Sequence, residues 1–379
     1  MDPVQARTLF EVTKRYAYLN HASVGGLPRP VVEAMTHYLH SRAASGSEAL
    51  VDWEAHIIER VRQQVAGFLG AHRDEIAFTG SVSHGLNIVA AGLDWQPGDN
   101  VVCAETEFPA NVYPWTNLRR RGVEVRLVPA RDNRILTKDV KDAVDTRTRL
   151  VAISFVEFAS GYRNDLDALA GICHARGAYL CVDGIQGLGA LHFSVRETPV
   201  DVMAGHAAKW MLGPIGAGFL YVRRELLDTL DPVMAGWRSV VDREAYFSYD
   251  SPLRETADRF EPGSPNVAGL VGLGTAVELL LDVGQDTIEA RIFELTDYLI
   301  DRLRAQGCAI VSPVTHRGER SGIVSFRPPA IDLPTFAERL HAAGVIVSMR
   351  GDAIRVSPHF YNTIEDLERL LQHSRVDGA

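Results

Sequence analysis

Between Ile76 and Val222 the chain alternates short apolar runs with stretches of helix length, and this alternation limits the fold more than any other feature. The apolar runs predict strands at Ile76–Phe78, Asn100–Ala104, Glu124–Val128, Leu150–Phe155, Tyr179–Asp183, Val202–Ala204 and Gly218–Val222. Helices are predicted between several of them, as at Ala110–Arg121 and Asp165–Arg176. Such alternation predicts an α/β fold, with a mostly parallel seven-stranded sheet sandwiched by helices. Ligands on these sheets bind at the carboxyl ends of the strands.

After about Asn266 the pattern changes. A long helical stretch is predicted from Asn266 to Gln306 with a break at Gly284, and shorter elements follow. These are strands at Ala309–Ser312, Gly322–Arg327, Val345–Met349 and Ala353–Ser357, and helices at Leu333–Ala343 and Ile364–Ser374. We therefore expect a large α/β domain over 16–265 and a small α+β domain from 1–15 and 266–379. A further helix, predicted around Val31–Ser41, is expected near the boundary.

Composition excludes several classes of protein. A net charge of −9 is unlike that of a nucleic-acid binder, which needs a basic face. No signal peptide and no apolar run of about 18 residues is found, so neither export nor a membrane span is expected. The four cysteines, Cys103, Cys173, Cys181 and Cys308, have neither CxxC nor zinc-site spacing. We expect reduced core thiols, no metal, and a cytoplasmic location.

Two ionisable residues stand in apolar surroundings. Lys209 lies among the small and apolar residues of Ala204–Pro214. Desolvation lowers the pKa of a lysine and makes its neutral amine available for Schiff-base chemistry, although a surface lysine with a buried stem would fit the same pattern. Asp183 ends the apolar run Tyr179–Asp183, where a carboxylate needs a cation or strong donors. A helix cap or a loop ion pair is the alternative for Asp183.

A third feature is the segment Phe78–Asn87, in which a strand is followed by small polar residues and then an apolar helix. A helix start with neighbouring hydroxyls binds anions, though plain capping by Ser81 or Ser83 is an equal explanation. Together the three features are the parts that pyridoxal 5'-phosphate (PLP) requires. The acid keeps the pyridine nitrogen protonated, the lysine bonds the aldehyde, and the helix start holds the phosphate.

The chain resembles the class V aminotransferase family of fold-type I PLP enzymes, which includes cysteine desulfurases, selenocysteine lyases, isopenicillin N epimerase and kynureninase. The resemblance covers nearly the whole chain. It is carried, in family order, by Tyr18–Ser23, Thr79–Asn87, Glu107–Asn111, Val182–Gln186, Lys209–Trp210, Arg259–Asn266 and Arg355–Asn362. It implies a fold-type I PLP-dependent transferase fold and a Schiff base on Lys209.

The resemblance also implies roles for single residues around the cofactor. Asp183 would pair with the pyridine nitrogen, Gln186 would bond the phenolic oxygen, and Phe108 would stack on the ring. Val82 and Ser83 would bind the phosphate. Ser264 matches a family threonine that reaches the phosphate of the neighbouring subunit, so a homodimer is implied.

Substrate residues follow in the same way. The resemblance implies that Arg355 clamps the substrate carboxylate, a role suited to a bidentate guanidinium, although an exposed strand arginine is the alternative. Arg350 and Arg238 are spare cations for a second acidic group, and His21 is a candidate second acid or base. His206 is a candidate phosphate contact or a structural histidine.

Three departures from the family pattern bear on the reaction. Ala208 stands where the family usually has a histidine, and Val156–Phe158 replaces an asparagine near the ring oxygen. Cysteine desulfurases carry a nucleophilic cysteine on a loop of the small domain. Here no cysteine follows Cys308, and the matching segment Ser348–Asp352 has no thiol.

These features predict a PLP enzyme that acts at the α-carbon of an amino acid, a small-molecule substrate, as an aminotransferase or a Cβ–S/Se lyase without a persulfide cysteine. The alternatives are an epimerase of the isopenicillin N epimerase type and a PLP-binding protein without catalysis. A nucleotide-binding enzyme using Gly213–Gly218 is a further alternative, but the GxGxxG and Walker patterns are absent. Nucleic-acid and membrane partners are not expected.

Overall fold

A computed structural model describes residues 1–46, 50–329 and 331–374. Its strands are β1 Ala17–Tyr18, β2 Ile76–Thr79, β3 Asn100–Ala104, β4 Glu124–Val128, β5 Thr148–Ser154, β6 Tyr179–Asp183, β7 Val202–His206, β8 Gly218–Val222, β9 Ala309–Ile310, β10 Val324–Arg327, β11 Val345–Ile346, β12 Ser348–Arg350 and β13 Ala353–Val356. Its helices are α1 Pro3–Arg7, α2 Arg29–Ser45, α3 Leu50–Leu69, α4 Val82–Gly92, α5 Tyr113–Thr116, α6 Thr137–Ala143, α7 Leu166–His174, α8 Val267–Val283, α9 Gln285–Ala305, α10 Leu333–Ala342 and α11 Ile364–Leu371.

Seven strands form the central sheet, in the order β2-β8-β7-β6-β5-β3-β4. The neighbours from β4 through β7 pair in parallel, whereas β8 runs antiparallel to both β7 and β2. The central strands β3 and β7 are buried along their whole length, because helices cover both faces of the sheet. The predicted mostly parallel seven-stranded sheet is confirmed.

The register of β8 brings distant segments to one edge of the sheet. Gly218, its first residue, pairs with Thr79 at the end of β2 and with His206 at the end of β7. Asp183 at the end of β6 pairs with Ala204 on one side and Ser154 on the other. The segments that follow β2, β5, β6 and β7 therefore all leave the sheet at the same edge, namely the edge formed by the carboxyl ends of the parallel strands.

The helices form two layers. On one face, α4 packs on β7 and β8. On the other face, α3 and α7 contribute to a large apolar core, and α8 packs against α2 and α3. Because α8 is apolar on nearly all sides and mostly buried, it belongs by packing to the large layer. The predicted boundary near residue 266 had placed this helix in the small domain.

The small unit is built on the antiparallel sheet β12-β13-β10-β9, with α9, α10 and α11 beside it. Its core also takes Ala17 and Leu19, because β1 pairs in parallel with β11. The chain segment around β1 therefore packs with the small unit, although the predicted large domain begins at residue 16. The predicted helix break at Gly284 is confirmed, since this residue has a φ of 90° between α8 and α9.

Three local features differ from the predictions. The predicted helix Ala110–Arg121 is a short helix between 3₁₀ turns, because Pro114 within it lacks the N–H that a continuous helix needs. The predicted strand Val345–Met349 is two strands with different partners, and α3 was not predicted. Taken singly, none of the described helices is long and apolar enough to cross a membrane; α8 and α9 meet that test only as a pair bent by 77°.

Candidate active site

Lys209 lies in the turn that follows β7, with its side chain largely removed from solvent. Desolvation lowers the pKa of its amine to about 8; the charge of Asp183 opposes this, and Arg355 and Arg350 lower the pKa further. The turn closes with a hydrogen bond from the backbone N–H of Leu212 to the carbonyl of Lys209, and Leu212 has a φ of 57°. A leucine in this left-handed conformation is strained, so the turn is held by its surroundings.

Asp183 is buried at the end of β6, with one carboxylate oxygen accepting a hydrogen bond of 3.0 Å from the backbone N–H of Ile185. Burial raises the pKa of Asp183 to about 6, and the charge of Lys209 lowers it in part. Among the described ion pairs none joins Asp183 to Lys209, although their charges interact. The structure brings the two residues together with a gap between them, which suits a group bonded at one end and charged at the other.

Phe108 and Gln186 lie beside this gap. The Nζ atom of Lys209 is 5.7 Å from the ring centroid of Phe108, and 46% of the Phe108 side chain is exposed. The indole N–H of Trp210 donates to Oε1 of Gln186, and Nε2 of Gln186 donates to the carbonyl of Ala22. The Trp210 contact fixes the orientation of the amide, so Nε2 keeps a second N–H for a ligand oxygen.

The start of α4 has the form of an anion site. Ser81 caps the helix, its hydroxyl accepting from the backbone N–H of His84, while Val82 and Ser83 form the first turn. Because Ser81 does the capping, the exposed Ser83 is not needed for it. A cavity of about 390 Å³ lies beside His84 and is lined by Thr79, Gly80, Gly216, Ser264 and Asn266 among others, whereas Ser83 lines a separate cavity of about 660 Å³ together with Phe108.

Ser264 reaches this cavity from its own chain, in the segment Glu261–Asn266. Glu261 anchors the segment, because its carboxylate accepts from the backbone N–H of Phe78 at 2.8 Å and pairs with the buried Arg62 at 2.7 Å. Asn266 caps α8 and donates to the carbonyl of Gly216. The contact of Ser264 with a neighbouring subunit stays a prediction.

Arg355 is buried in β13, and all its described partners are neutral. Its Nε donates to the hydroxyl of Ser348 at 3.2 Å, one terminal nitrogen to the carbonyl of Phe158 at 2.6 Å, and the other to the hydroxyl of Ser23 at 2.7 Å. Burial, and then the charge of Arg350, lower the pKa of Arg355. A guanidinium has five N–H groups, so one remains on each terminal nitrogen, the pair that a carboxylate accepts.

Arg350 lies next to Arg355 at the end of β12. It donates to the same hydroxyl of Ser23, at 3.3 Å, and to the carbonyl of Met349. No described carboxylate pairs with either arginine. The positive charges of Arg350 and Arg355 therefore have no carboxylate ion-pair partner among the described residues.

Three other predicted residues are placed differently. His21 is fully buried, its Nδ1 donating to the carbonyl of Ser357 and its Nε2 accepting from the hydroxyl of Tyr361. Desolvation lowers the pKa of His21 to about 4, so it is neutral and has no nitrogen free for a substrate. The prediction of a second acid or base at His21 is wrong.

His206 and Arg238 also face protein groups. Nδ1 of His206 accepts from the backbone N–H of Ala208, and Nε2 lies beside the backbone of Gly216 and Gly80, which favours the structural role over the phosphate contact. Arg238 lies over the ring of Trp237, and its charged neighbours include Glu261 and Arg243 but not Lys209. The structure does not bring Arg238 to the candidate site.

Two buried carboxyl groups at the site were not predicted. Glu107 and Glu157 follow β3 and β5, at the same edge of the sheet as Asp183. The rule that selects Asp183, an acid just beyond a buried strand, also selects them. A hydroxyl acceptor, Ser23, was missed as well, because its contacts with Arg350 and Arg355 span more than 300 residues.

All four cysteines are buried and unpaired. Burial raises the pKa of the Cys103 and Cys173 thiols to about 12 and that of Cys308 to about 11, and it raises the pKa of Cys181 as well. Such thiols carry almost no thiolate near neutral pH, so they are poor nucleophiles.

The chain has relatives along most of its length. The sequence profile of the family described as Aminotransferase class-V matches residues 17–370. A probable cysteine desulfurase of Methanothermobacter thermautotrophicus is 33% identical over 380 residues, covering 94% of this chain and 93% of that protein.

Solved structures are similar over the same extent. A cysteine desulfurase from Thermococcus onnurineus NA1, in its apo form, has a TM-score of 0.90 at 28% identity and covers 98% of this chain and 97% of its own. The cystine C–S lyase C-DES, solved with its product cysteine persulfide, has a TM-score of 0.90 at 24% identity, with coverages of 96% and 98%. A C-DES variant with glycine covalently linked to the PLP cofactor has a TM-score of 0.91 at 23% identity, with coverages of 97% and 98%.

Proposed function

Because the chain belongs to the class V aminotransferase family and is a PLP-dependent enzyme of fold-type I, we propose that it acts at the α-carbon of an amino acid, with its cofactor on Lys209. The reaction is transamination or cleavage of a Cβ–S or Cβ–Se bond, without a cysteine persulfide. The observation that supports this most is the arrangement of Lys209, Asp183 and Arg355 around one gap, each with a charge that lacks a direct partner in the described structure.

The described residues fit the cofactor. Asp183 would face the pyridine nitrogen, the first turn of α4 with Val82 and Ser83 would hold the phosphate, and Phe108 would cover the ring. The second N–H of Gln186 would meet the phenolic oxygen. When bound, PLP supplies an electron sink for the pair of electrons left at the α-carbon.

Arg355 would accept the α-carboxylate on its two unused N–H groups, which fixes the orientation of the substrate. The Lys209 amine, with its pKa lowered to about 8, is then suited to take the α-proton as a general base near neutral pH. Arg350 would read a second acidic group on the substrate, because it shares Ser23 with Arg355 and has no described carboxylate partner.

A persulfide step is left out of the proposal because the cysteine thiols are buried. None of the four cysteines is exposed, and the strand β12 that carries Arg350 at the site has no cysteine. Relatives named cysteine desulfurase therefore share the fold and the family with this chain, whereas we propose that sulfur, if released, leaves as a free product.

Epimerisation of the isopenicillin N epimerase type is disfavoured, because His21, the candidate second base, is buried with both ring nitrogens hydrogen-bonded. A PLP-binding protein without catalysis is disfavoured because Lys209, Asp183 and Arg355 face one site together. These two alternatives remain outcomes of the test below.

The test is an absorbance scan of the purified protein, which should show a visible band that borohydride abolishes. Lys209→Ala should remove this band, and the exposed Lys141→Ala should retain it. The loaded protein is then incubated with amino acids while sulfide, pyruvate, pyridoxamine phosphate and optical rotation are followed separately. An unchanged band in Lys209→Ala would refute the site, and a persulfide on Cys308 would refute the sulfur chemistry.

We also propose that the enzyme is a homodimer. The segment 233–249 exposes several large apolar side chains, namely Val233, Met234, Trp237, Val241, Tyr246, Phe247 and Tyr249. Gly236 in this segment packs directly on Pro262, two residues before Ser264, where a Cβ would lie 2.1 Å from the Pro262 carbonyl oxygen. An apolar surface of this kind next to Ser264 supports burial against a second copy.

A further inference from the structure

Three carboxyl groups gather at one edge of the central sheet. Glu107 follows β3, Glu157 follows β5, and Asp183 ends β6, and these three strands are neighbours in the sheet. The exposed fractions of the three residues are 6%, 2% and 2%. Two of these acids therefore lie, buried, beside the residue that we place at the cofactor's pyridine nitrogen.

Glu107 and Glu157, called the acid pair below, are held by neutral donors. The carboxylate of Glu107 accepts from both the backbone N–H and the hydroxyl of Ser154, each at 2.6 Å. The carboxylate of Glu157 accepts from the hydroxyl of Thr106 and from the amide of Asn164, each at 2.9 Å. No described lysine or arginine forms an ion pair with either acid.

The acid pair cannot be fully ionised at neutral pH. Burial disfavours each charged form, and the mutual repulsion of the two carboxylates, together with that from Asp183, adds to it. These effects raise the pKa of Glu107 well above its usual range and the pKa of Glu157 to about 7. Because the two acids interact, the pair titrates as a unit and retains at least one proton.

The other titratable groups around the acid pair stay neutral. Cys103 on β3 and Cys181 on β6 both feel the charge of Glu107, and Tyr162 feels that of Glu157. Burial raises the pKa of all three far above neutrality. The changes of charge at this edge of the sheet between weakly acid and weakly basic pH therefore come from the acid pair, from Asp183, whose pKa is raised to about 6, and from Lys209.

We propose that Glu157 is a positioning residue for the cofactor, whose loss or gain of a proton changes the electrostatic potential around Asp183 and hence the protonation of the pyridine nitrogen, while Glu107 keeps one proton in the pair. This inference rests on the proposed function, since it requires PLP between Lys209 and Asp183. With the acid pair neutral, Asp183 would be the negative charge that faces the pyridine nitrogen. When Glu157 ionises, the added negative charge would favour the protonated forms of the pyridine nitrogen and of the Lys209 nitrogen.

The experiment is a pH titration of the visible absorbance of the cofactor-loaded protein. The wild-type protein should show a step from Glu157 near neutral pH in addition to that of the lysine nitrogen. Glu157→Gln should remove the former step. Thr106→Val should move it to higher pH, because the hydroxyl of Thr106 lowers the pKa of Glu157. Glu105→Gln, which neutralises an exposed acid next to Thr106, should leave both steps in place, because solvent and salt screen that charge.

A Glu157→Gln protein that titrates like the wild type would overturn the inference. Should that variant fail to fold or to take up PLP, an unshifted step in Thr106→Val would overturn it instead. Failure of the proposed function looks different, because the wild type would then show no visible band. Infrared spectra of the apo-protein detect protonated carboxyl groups directly: above neutral pH the wild type should lose the part of this band that Glu157 contributes and keep that of Glu107, and Glu157→Gln should lack the part that changes with pH near neutrality.

Discussion

The carbonyl oxygen of Lys209 occupies the place where a side chain on Gly25 would begin: a Cβ at Gly25 would lie 2.1 Å from that oxygen. The backbone N–H of Gly25 also donates to the carbonyl of Ala208 at 2.8 Å. The N-terminal segment is therefore part of the support for the turn that carries Lys209, although the two lie far apart in sequence.

Gly25→Ala should displace the Lys209 turn, since backbone rather than a flexible side chain stands in the way. We expect a loss of about 1–3 kcal/mol in the free energy of unfolding of the apo-protein, as for overpacking at other tight sites. The visible band should also shift or weaken. Denaturant unfolding and the absorbance scan measure the two effects, and Gly171→Ala, at an exposed position of α7 where a Cβ has open space, is the control. Wild-type stability in Gly25→Ala would contradict the close contact.

The sheet could be predicted because each strand carries its own signal. Apolar runs such as Asn100–Ala104 and Tyr179–Asp183 are buried on both faces and match the observed strands residue for residue. The contact of Gly25 with Lys209 has no such local signal, because it depends on how the small unit is placed. His21 shows the same limit: a polar residue near a motif is interpreted as reactive, and only the fold reveals that it is buried.

The parts of the candidate site that could be predicted are ionisable residues in apolar sequence surroundings. A lysine among apolar residues and an aspartate at the end of an apolar strand led to Lys209 and Asp183 by physical reasoning. Glu157 was not predicted because it lies in Val156–Phe158, where this sequence departs from the family pattern. The segment is also a short loop without a periodic pattern of apolar residues. Arg238 lies away from Lys209 in its own chain, with its backbone beside Pro262, and a role for it in substrate binding stays a prediction.

The reaction of the apo-protein with PLP should depend on pH through Lys209. Its pKa is lowered from 10.5 to about 8, and only the neutral amine attacks the aldehyde. The rate constant for uptake should therefore rise with pH and level off above about 8. Arg350→Gln removes a cation that lowers this pKa, so its curve should move to higher pH. Stopped-flow absorbance measures both curves, and a midpoint near 10.5 in the wild type would refute the desolvated lysine.

Ser23→Ala should weaken substrate binding, because it removes the hydroxyl that accepts from both Arg350 and Arg355. Loss of such an acceptor costs about 1 kcal/mol, so KM should rise roughly fivefold with a smaller change in kcat. Ser348→Ala is the matched variant, because it contacts Arg355 alone. If Arg350 reads a second acidic group, the two variants should differ for dicarboxylic amino acids and agree for alanine. Equal effects on both substrate types would remove Arg350 from recognition.

The exposed aromatic residues of 233–249 should be buried between subunits. Replacing Phe247 and Tyr249 with serine should shift the protein towards monomers and reduce PLP affinity, since Ser264 would no longer reach a second site. Light scattering across a dilution series measures the mass. Leu127→Ser, at an exposed leucine on the edge strand β4, is the control. A monomeric wild type, or a variant that stays dimeric with full PLP affinity, would count against the proposed interface.

The pairing of Gly218 with both Thr79 and His206 has a consequence for how such an enzyme tolerates change. The turn that follows β2 is the candidate anion site, and the turn that follows β7 carries Lys209. The single strand β8 lies between β2 and β7, so two interstrand spacings, roughly 10 Å, separate the two turns. Insertions in the surface loops do not change this distance, whereas a shift of β8 by one residue would change its pairing with β2 and with β7 at the same time. The loops around the site can therefore vary, and with them the substrate, while the binding of the vitamin B6 group stays the same.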